Sequence, residues 1–481
     1  MEKRQIILLG LIGAITFLLV YSPHFNYHLP YHIDEWHHIT EAEKLKEGSY
    51  SGGSIGFRIG FHIILMAVSF FFNLLKIYEF LPAIWALISG LTLFFVVYKK
   101  TKRVSIGLFS MLFFASIKSN VNITGLWFFT ALTFSIPFIF LYFYFYTEGL
   151  ERKKKNYIYI SLIIMLFLLF VHSISLLFAL PILIIYSLMH IDYIKRNYKT
   201  FSLFILVPIA GLLFYKLMAD IPFSSLLQSI TTAIQFKKGW GVLELNNSFL
   251  ELYSWIGYVL AILGAISIFA KEERPKKYAI FVFWPVLVLI NIIIYRLTDV
   301  SYLSPYQRNL YYFAISLPVL SAFGLYHIIK TARQGIENVS SKRMVKKNLK
   351  VIATIILILL AAFLAFKSYF YIPDQVALYK LVDKNDLAAL KFMKTFPKSN
   401  VMAPADISTA LYPLSSHKPI ATISFYGNRE DVETFFAAVD DCNTKDNLIK
   451  KYDVRYVISK ERINCGWKLI YKEGDFVYEI K

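Results

Sequence analysis

A polytopic α-helical membrane protein of about eleven transmembrane helices, with a small carboxyl-terminal extracytoplasmic α/β domain, is the fold class this chain predicts. Three observations carry it. The 481 residues are 57% hydrophobic with a mean hydropathy of +0.53, which excludes a soluble globular domain and a disordered chain. Long apolar runs recur, separated by short clusters of basic residues. Beyond Tyr371 ordinary charge density returns, which marks a change of solvent.

The elements follow in order. Lys3 and Arg4 precede the apolar run Ile6 to Val20, and Tyr21-Ser22-Pro23-His24 is a poor cleavage site, so the run is expected to stay as a first helix. Further spans are expected near 79–98, 104–119, 125–146, 157–171, 174–190, 201–218, 252–270, 278–296, 309–330 and 351–371. The formal charge of +19 does not indicate nucleic acid. Its lysines and arginines fall between spans, at Lys99 to Arg103, Arg152 to Lys155, Lys195-Arg196, Lys276-Lys277 and Lys342 to Lys347, the pattern that orients helices with basic loops inside. One apolar run, 57–75, would invert every later cluster if it crossed. It is therefore expected to lie on or dip into the outer face. The amino terminus is then cytoplasmic and the carboxyl terminus outside, in the plasma membrane.

In the tail, Asp386 to Thr395 reads as an amphipathic helix. Val401 to Ala403, Ile420 to Ile423, Arg455 to Ile458, Lys468 to Tyr471 and Phe476 to Ile480 read as short strands. The domain division expected is 1–371, with a first outer loop over 23–78, and 372–481. Cys442 and Cys465 both lie in the tail, where they can form a disulfide or remain two buried thiols. The sequence shows no Gly-rich phosphate loop, no CxxC pair and no internal repeat.

Chemistry concentrates in the first outer loop, at Tyr31-His32-Ile33-Asp34-Glu35-Trp36-His37-His38. Ionisable groups at a membrane boundary are costly unless solvated or used. On a helix Asp34 shares a face with His37 and His38. Asp34 could serve as a general base, as a ligand with His38 for a divalent cation such as Mg²⁺ or Mn²⁺, or as a structural cap. His32 could supply a further ligand. Glu41, Glu43 and Glu47, mixed with Lys44 and Lys46, read as a solvated face. Three further candidates come from later outer segments. Arg308 enters a span in Pro305-Tyr306-Gln307-Arg308, and its planar fork matches phosphate oxygens, although snorkelling to headgroups explains it equally simply. His172, in Val171-His172-Ser173, is expected at a tip between two short spans, bonding a substrate or closing a tight turn. Lys118 to Asn122 and Lys237 to Trp240 are weaker, with helix capping the simpler account of Asn120 and Asn122.

An acidic pair opening the first outer loop, a non-crossing run after it, and Pro305 to Tyr312 at an outer edge resemble the GT-C glycosyltransferases. That superfamily includes protein O-mannosyltransferases, aminoarabinose transferases and the catalytic subunit of oligosaccharyltransferase. The resemblance covers the whole chain in topology but only two short segments in residues. It departs where many relatives carry a second outer acid and this chain has Asn120 and Asn122, so a bound metal is in doubt: either none is required or a divalent cation serves.

The resemblance implies transfer of a sugar from a polyprenyl-phosphate donor, held among membrane lipids, to a glycan, lipid or protein acceptor outside, with inversion. Asp34 and Glu35 would be catalytic. Arg58, His172, Arg308, His37 and His38 would bind the lipid phosphate or the sugar. The alternative is a transporter or lipid flippase of glycan precursors. It would place charges mid-span, along a path, whereas here they gather at one face.

Overall fold

The computed structural model describes residues 2–480 except 51–57, 120–124, 219–223, 225–230, 232, 233, 238–247, 274, 340–342, 368, 370–378, 424, 425, 439 and 440. Asn120, Asn122 and Lys238 to Trp240 therefore lie outside the described residues.

The helices are α1 (Lys3–Tyr21), α2 (Ile33–Lys46), α3 (Ile59–Ser69), α4 (Leu74–Ile77), α5 (Leu81–Thr101), α6 (Val104–Ala115), α7 (Ala131–Arg152), α8 (Lys155–Leu177), α9 (Ala179–Leu188), α10 (Ile191–Arg196), α11 (Tyr198–Met218), α12 (Trp255–Lys271), α13 (Pro275–Thr298), α14 (Tyr306–Val339), α15 (Arg343–Phe366), α16 (Lys384–Met393), α17 (Ala405–Ser415), α18 (Arg429–Ala437) and α19 (Cys442–Tyr452). The strands are β1 (Gln235–Lys237), β2 (Val300–Tyr302), β3 (Asn400–Met402), β4 (Lys418–Pro419), β5 (Val454–Ser459), β6 (Lys468–Tyr471) and β7 (Phe476–Glu479).

The chain divides into two compact units. One comprises residues 1–22, 56–60 and 82–372, the other 23–55, 61–81 and 373–481. The first is helical. By length and composition, six helices among the described residues can cross a membrane: α1, α5, α8, α13, α14 and α15. This is fewer than the eleven expected. The remaining apolar runs do form helices, but α6, α9 and α12 have 12, 10 and 17 residues, short of the ~20 that a perpendicular crossing needs. Inside this unit Lys100, 1% exposed, donates to Thr147 and Glu151. The Tyr186 hydroxyl donates to Glu151 as well, so one buried network joins α5, α7 and α9.

The second unit carries a five-stranded sheet in the order β4-β3-β5-β7-β6. β3 pairs parallel with β4 and β5, and β7 pairs antiparallel with β5 and β6. A disulfide joins Cys442 to Cys465, with Cα atoms 5.4 Å apart. The run 420–423, expected as a strand, makes only an isolated bridge at Ala421, opposite Gly427. Strand β4 ends at Pro419, whose ring nitrogen has no hydrogen to donate to a ladder.

Residues 23–55 and 61–81 belong to the same unit. Ile33 and Trp36 of α2 share a core with Leu381, Leu390, Leu411 and Val477, and Leu29 and Leu75 pack against it. The backbone confirms the join: His32 bridges Tyr379, and the Lys380 N–H donates to the Tyr31 carbonyl at 2.9 Å. α3 has 11 residues, roughly 16 Å at 1.5 Å per residue, too short for a ~30 Å hydrocarbon layer. Just after it, Phe70, Phe71 and Phe72 are 64%, 82% and 58% exposed.

Candidate functional site

In the second unit, the acidic segment forms the first turn of α2. His32 is its N-cap: the His32 Nδ1 accepts from the Asp34 N–H at 3.1 Å. Glu35 closes the reciprocal arrangement. Its Oε2 accepts from the Tyr31 N–H at 2.7 Å and the His32 N–H at 3.0 Å, and the side chain is fully buried. A carboxylate near the positive end of a helix dipole, accepting two backbone N–H groups, holds that helix start in place. Asp34 differs. Its side chain is 18% exposed, and His32 Nδ1 lies 4.0 Å from its Oδ2. The acidic pair thus divides into a buried cap and a partly open carboxylate.

Within electrostatic range of Asp34 lies Tyr78, which the sequence reading did not single out. Tyr78 is fully buried, and burial, then the charges of Glu35 and Asp34, push its phenol well above the ordinary tyrosine range. His38, four residues on from Asp34, is buried. Its Nδ1 lies 3.0 Å from His62 Nε2, and Tyr50 Oη lies 3.2 Å from His62 Nδ1. The His37 ring centroid stands 5.6 Å from that of His38 and 6.3 Å from that of His62.

Two of the glutamates expected on a solvated face are engaged. Glu41 is 4% exposed and bonds Lys44 at 3.0 Å. Glu47 accepts from the Tyr412 hydroxyl at 2.7 Å and from Lys398 at 3.1 Å; the tyrosine bond is the main reason its carboxyl sits below the ordinary range. The reason is the tail, which covers this side of α2. As for a metal, among the described residues no group of three or more His, Cys, Asp or Glu converges tightly enough to hold one. Asp34 and His38 by themselves supply two ligands.

In the first unit, three cationic or imidazole side chains far apart in sequence come together. His172 lies within electrostatic range of both Arg58 and Arg308. Gly60 explains how Arg58 gets there: a Cβ on it would stand 2.9 Å from the Phe170 carbonyl oxygen, so only glycine lets this backbone lie against α8. Arg308 sits in the first turn of α14, whose start is held by Asn309. That amide donates to Ser301 Oγ at 2.8 Å and to the Ser304 carbonyl at 3.1 Å. Arg296, at the edge of the same segment, donates to Tyr306 and stacks over Phe249.

His172 stands where two helical stretches meet at a kink, in keeping with the break expected at this position. It lies within α8, at φ −159° and ψ 83°, where the helix breaks direction. No glycine or proline occurs between 171 and 174 to end the helix there, and Ser175 captures the ring instead: its Oγ lies 2.7 Å from His172 Nδ1. The same oxygen lies 2.7 Å from Ser135 Oγ and 3.0 Å from Tyr312 Oη. Tyr312 in turn stacks on Phe178, with centroids 3.7 Å apart. Sequence reading missed Ser135, Ser175 and Tyr312; the i, i+3 spacing of His172 and Ser175 was the one signal available. Lys118 is tied to the Leu250 carbonyl at 2.6 Å.

No family model matches the sequence, and no curated protein matches it either. Solved structures do match in fold. ArnT from Cupriavidus metallidurans aligns over 98% of this chain and 97% of its own, with a TM-score of 0.60 at 10% identity. The archaeal oligosaccharyltransferase AglB from Archaeoglobus fulgidus, in complex with an inhibitory peptide and a dolichol-phosphate, aligns over 95% of this chain and 69% of its own, with a TM-score of 0.52 at 13% identity. The oligosaccharyltransferase of that organism in complex with Zn and sulfate gives a TM-score of 0.56 at 13% identity, over 94% of this chain and 68% of its own. The chain thus shares the overall fold of ArnT and of the archaeal oligosaccharyltransferase.

Proposed function

We propose that this protein is an integral-membrane glycosyltransferase, moving a sugar from a polyprenyl-phosphate donor to an acceptor on the extracytoplasmic face with inversion. The observation that carries the reading is that Arg58 and Arg308 both lie within electrostatic range of His172 in a chain of GT-C fold. Two guanidiniums are suited to a phosphate that gains charge as it leaves. That similar folds bind dolichol-phosphate and an acceptor peptide supports a lipid-phosphate donor and a separate acceptor.

The chemistry assigns each residue a task. The Asp34 carboxylate takes the proton of the acceptor hydroxyl. The freed oxygen bonds to the anomeric carbon, and the bond from that carbon to the phosphate oxygen breaks on the opposite side. The electron pair leaves with the phosphate, whose charge Arg58 and Arg308 offset. Glu35 fixes the helix start that presents Asp34. His37 and His38 line the same helix face and would contact the sugar or acceptor. The segment around Phe70 to Phe72 would rest on the outer leaflet, with the amino terminus cytoplasmic and the tail outside.

The test is sugar transfer from radiolabelled polyprenyl-phosphate sugars by the purified chain in lipid nanodiscs, against Asp34→Asn of equal helicity. Loss of general-base help lowers turnover about 10²–10⁴-fold. Transfer unchanged in the variant would remove Asp34 as the base. No transfer with any donor would sink the enzyme reading.

A further inference from the structure

We propose that His172 recognises a hydroxyl of the donor sugar, as a hydrogen-bond acceptor through Nε2, and does not contact the phosphate. The inference rests on the glycosyltransferase reading for its ligand, but its core is a count of protons around Ser175.

The count begins at Ser135. Its Oγ lies 2.6 Å from the Leu132 carbonyl oxygen. A carbonyl has no hydrogen, so the proton between them belongs to Ser135. Ser135 Oγ and Ser175 Oγ stand 2.7 Å apart. With the Ser135 proton already committed, the one between these two hydroxyls comes from Ser175. A serine hydroxyl has a single proton and two lone pairs. Ser175 therefore accepts from its other two neighbours, Tyr312 Oη at 3.0 Å and His172 Nδ1 at 2.7 Å. The His172 proton is thus on Nδ1, and in the neutral ring Nε2 presents a bare lone pair. Among the described residues no hydrogen bond engages that nitrogen.

A lone pair is the wrong partner for a phosphate, which offers only acceptors of its own. The two guanidiniums within electrostatic range of the ring are donors throughout, and they supply what an anion needs. What His172 adds beside them is a directed acceptor, and the donor groups that a polyprenyl-phosphate sugar carries next to its phosphate are sugar hydroxyls. Ser175, Ser135 and Tyr312 act through His172: they fix its tautomer and aim, so they are positioning residues.

Two measurements decide it. The first is a long-range ¹H–¹⁵N spectrum of the full chain in nanodiscs with ¹⁵N-histidine, His172 being assigned by its loss in His172→Ala. The expected result is the Nδ1–H tautomer, converted to a mixture in Ser175→Ala. An Nε2–H ring in the wild type overturns the proposal whatever the protein's activity. The second compares plain polyprenyl phosphate with polyprenyl-phosphate mannose and its singly deoxygenated analogues. His172→Ala should bind the plain lipid phosphate within about twofold of wild type, while its KM for a sugar donor rises about tenfold, the scale of one hydrogen bond. His172→Asn, which restores an acceptor oxygen, should recover part of that loss. One deoxygenated donor should be poor for the wild type yet no worse than its parent for His172→Ala. Loss of plain lipid phosphate binding in His172→Ala as severe as in Arg308→Ala would overturn the assignment. A wild type that binds no polyprenyl phosphate would instead remove the enzyme reading, leaving the spectrum to judge the acceptor.

Discussion

Protons shared between side chains recur as a theme at the scale of single residues. In the tail, Asp386 and Asp475 are both buried, and each has one carboxylate oxygen with no hydrogen-bond partner. Asp386 is the third residue of α16 and accepts from the Asp383 N–H at 2.8 Å; Asp475 lies in the β6–β7 turn. Burial first, then the bond to Asp386 and its charge, push the Asp475 carboxyl up to about 7, against opposing help from Lys460. A proton held between the two acids satisfies both oxygens. Because the folded pKa is raised, the folded state binds this proton more tightly than the unfolded chain. Stability therefore falls as pH rises from the ordinary aspartate range to about 7, by at most about 1.4 kcal/mol per pH unit for one proton. Amide exchange of 384–393 and 468–479 should quicken between pH 5 and pH 8 beyond its intrinsic base dependence, and Asp475→Asn should flatten that excess. An equal slope in the variant would rule out the shared proton. Legibility at this scale was uneven. Arg58, His172 and Arg308 could be chosen by residue type and position, since guanidinium and imidazole at an outer edge are costly and specific. Ser135, Ser175 and Tyr312 could not, because serine and tyrosine in an apolar helix are ordinary until their partners are known.

Helices were the most readable elements, because each apolar run is long, local and bounded by charge. Their lengths and breaks were less so. Sequence reading divided 157–190 at His172, and the helix does kink there, but the second stretch runs only to Leu177 before α9 begins at Ala179. Helix contacts depend on glycines whose role appears only in pairs. A Cβ on Gly264 of α12 would stand 1.8 Å from the Leu320 carbonyl oxygen, and one on Gly324 of α14 would stand 2.1 Å from the Leu260 carbonyl oxygen. The two backbones touch directly, as small residues allow between membrane helices. Gly264→Ala must push α12 and α14 apart, which costs about 1–3 kcal/mol or more where backbone is the obstacle. Gly335→Ala, on α14 with open space around it, should be neutral or gain up to about 1 kcal/mol in helix propensity. Thermal unfolding in detergent should separate the two variants, and equal melting would refute the close contact. Strands of the tail were legible where a short run rich in β-branched and aromatic residues stood between turns, as for β5 and β6, and failed at 420–423, where apolar residues follow a proline.

For the whole molecule, the feature that sequence could not supply is which distant segments share a core. The change of composition near residue 371 suggested a tail folding by itself, because composition is a local quantity. Core sharing is not: Ile33 and Trp36 are buried with residues from 381 to 477, so the helix that carries Asp34 is part of the tail's own packing. The tail is then a structural support for the proposed base, whatever else it binds. This has a mechanical consequence. Leu411 of α17 is fully buried in that shared core, and Leu411→Ala should cost about 2–5 kcal/mol. If the core is one cooperative body, the loss is felt in α2 as well as in α17, because partners in a single packed cluster open together. Hydrogen exchange by mass spectrometry should show amides of 33–46 and of 405–415 losing protection in parallel, while α5 and α14 keep theirs. Sugar transfer should fall with the protection of α2, although Leu411 bears no reactive group. Protection lost in the tail alone, with 33–46 unchanged, would mean that α2 is held by its own cap at His32 and Glu35, and the tail would then have to be assigned a separate task.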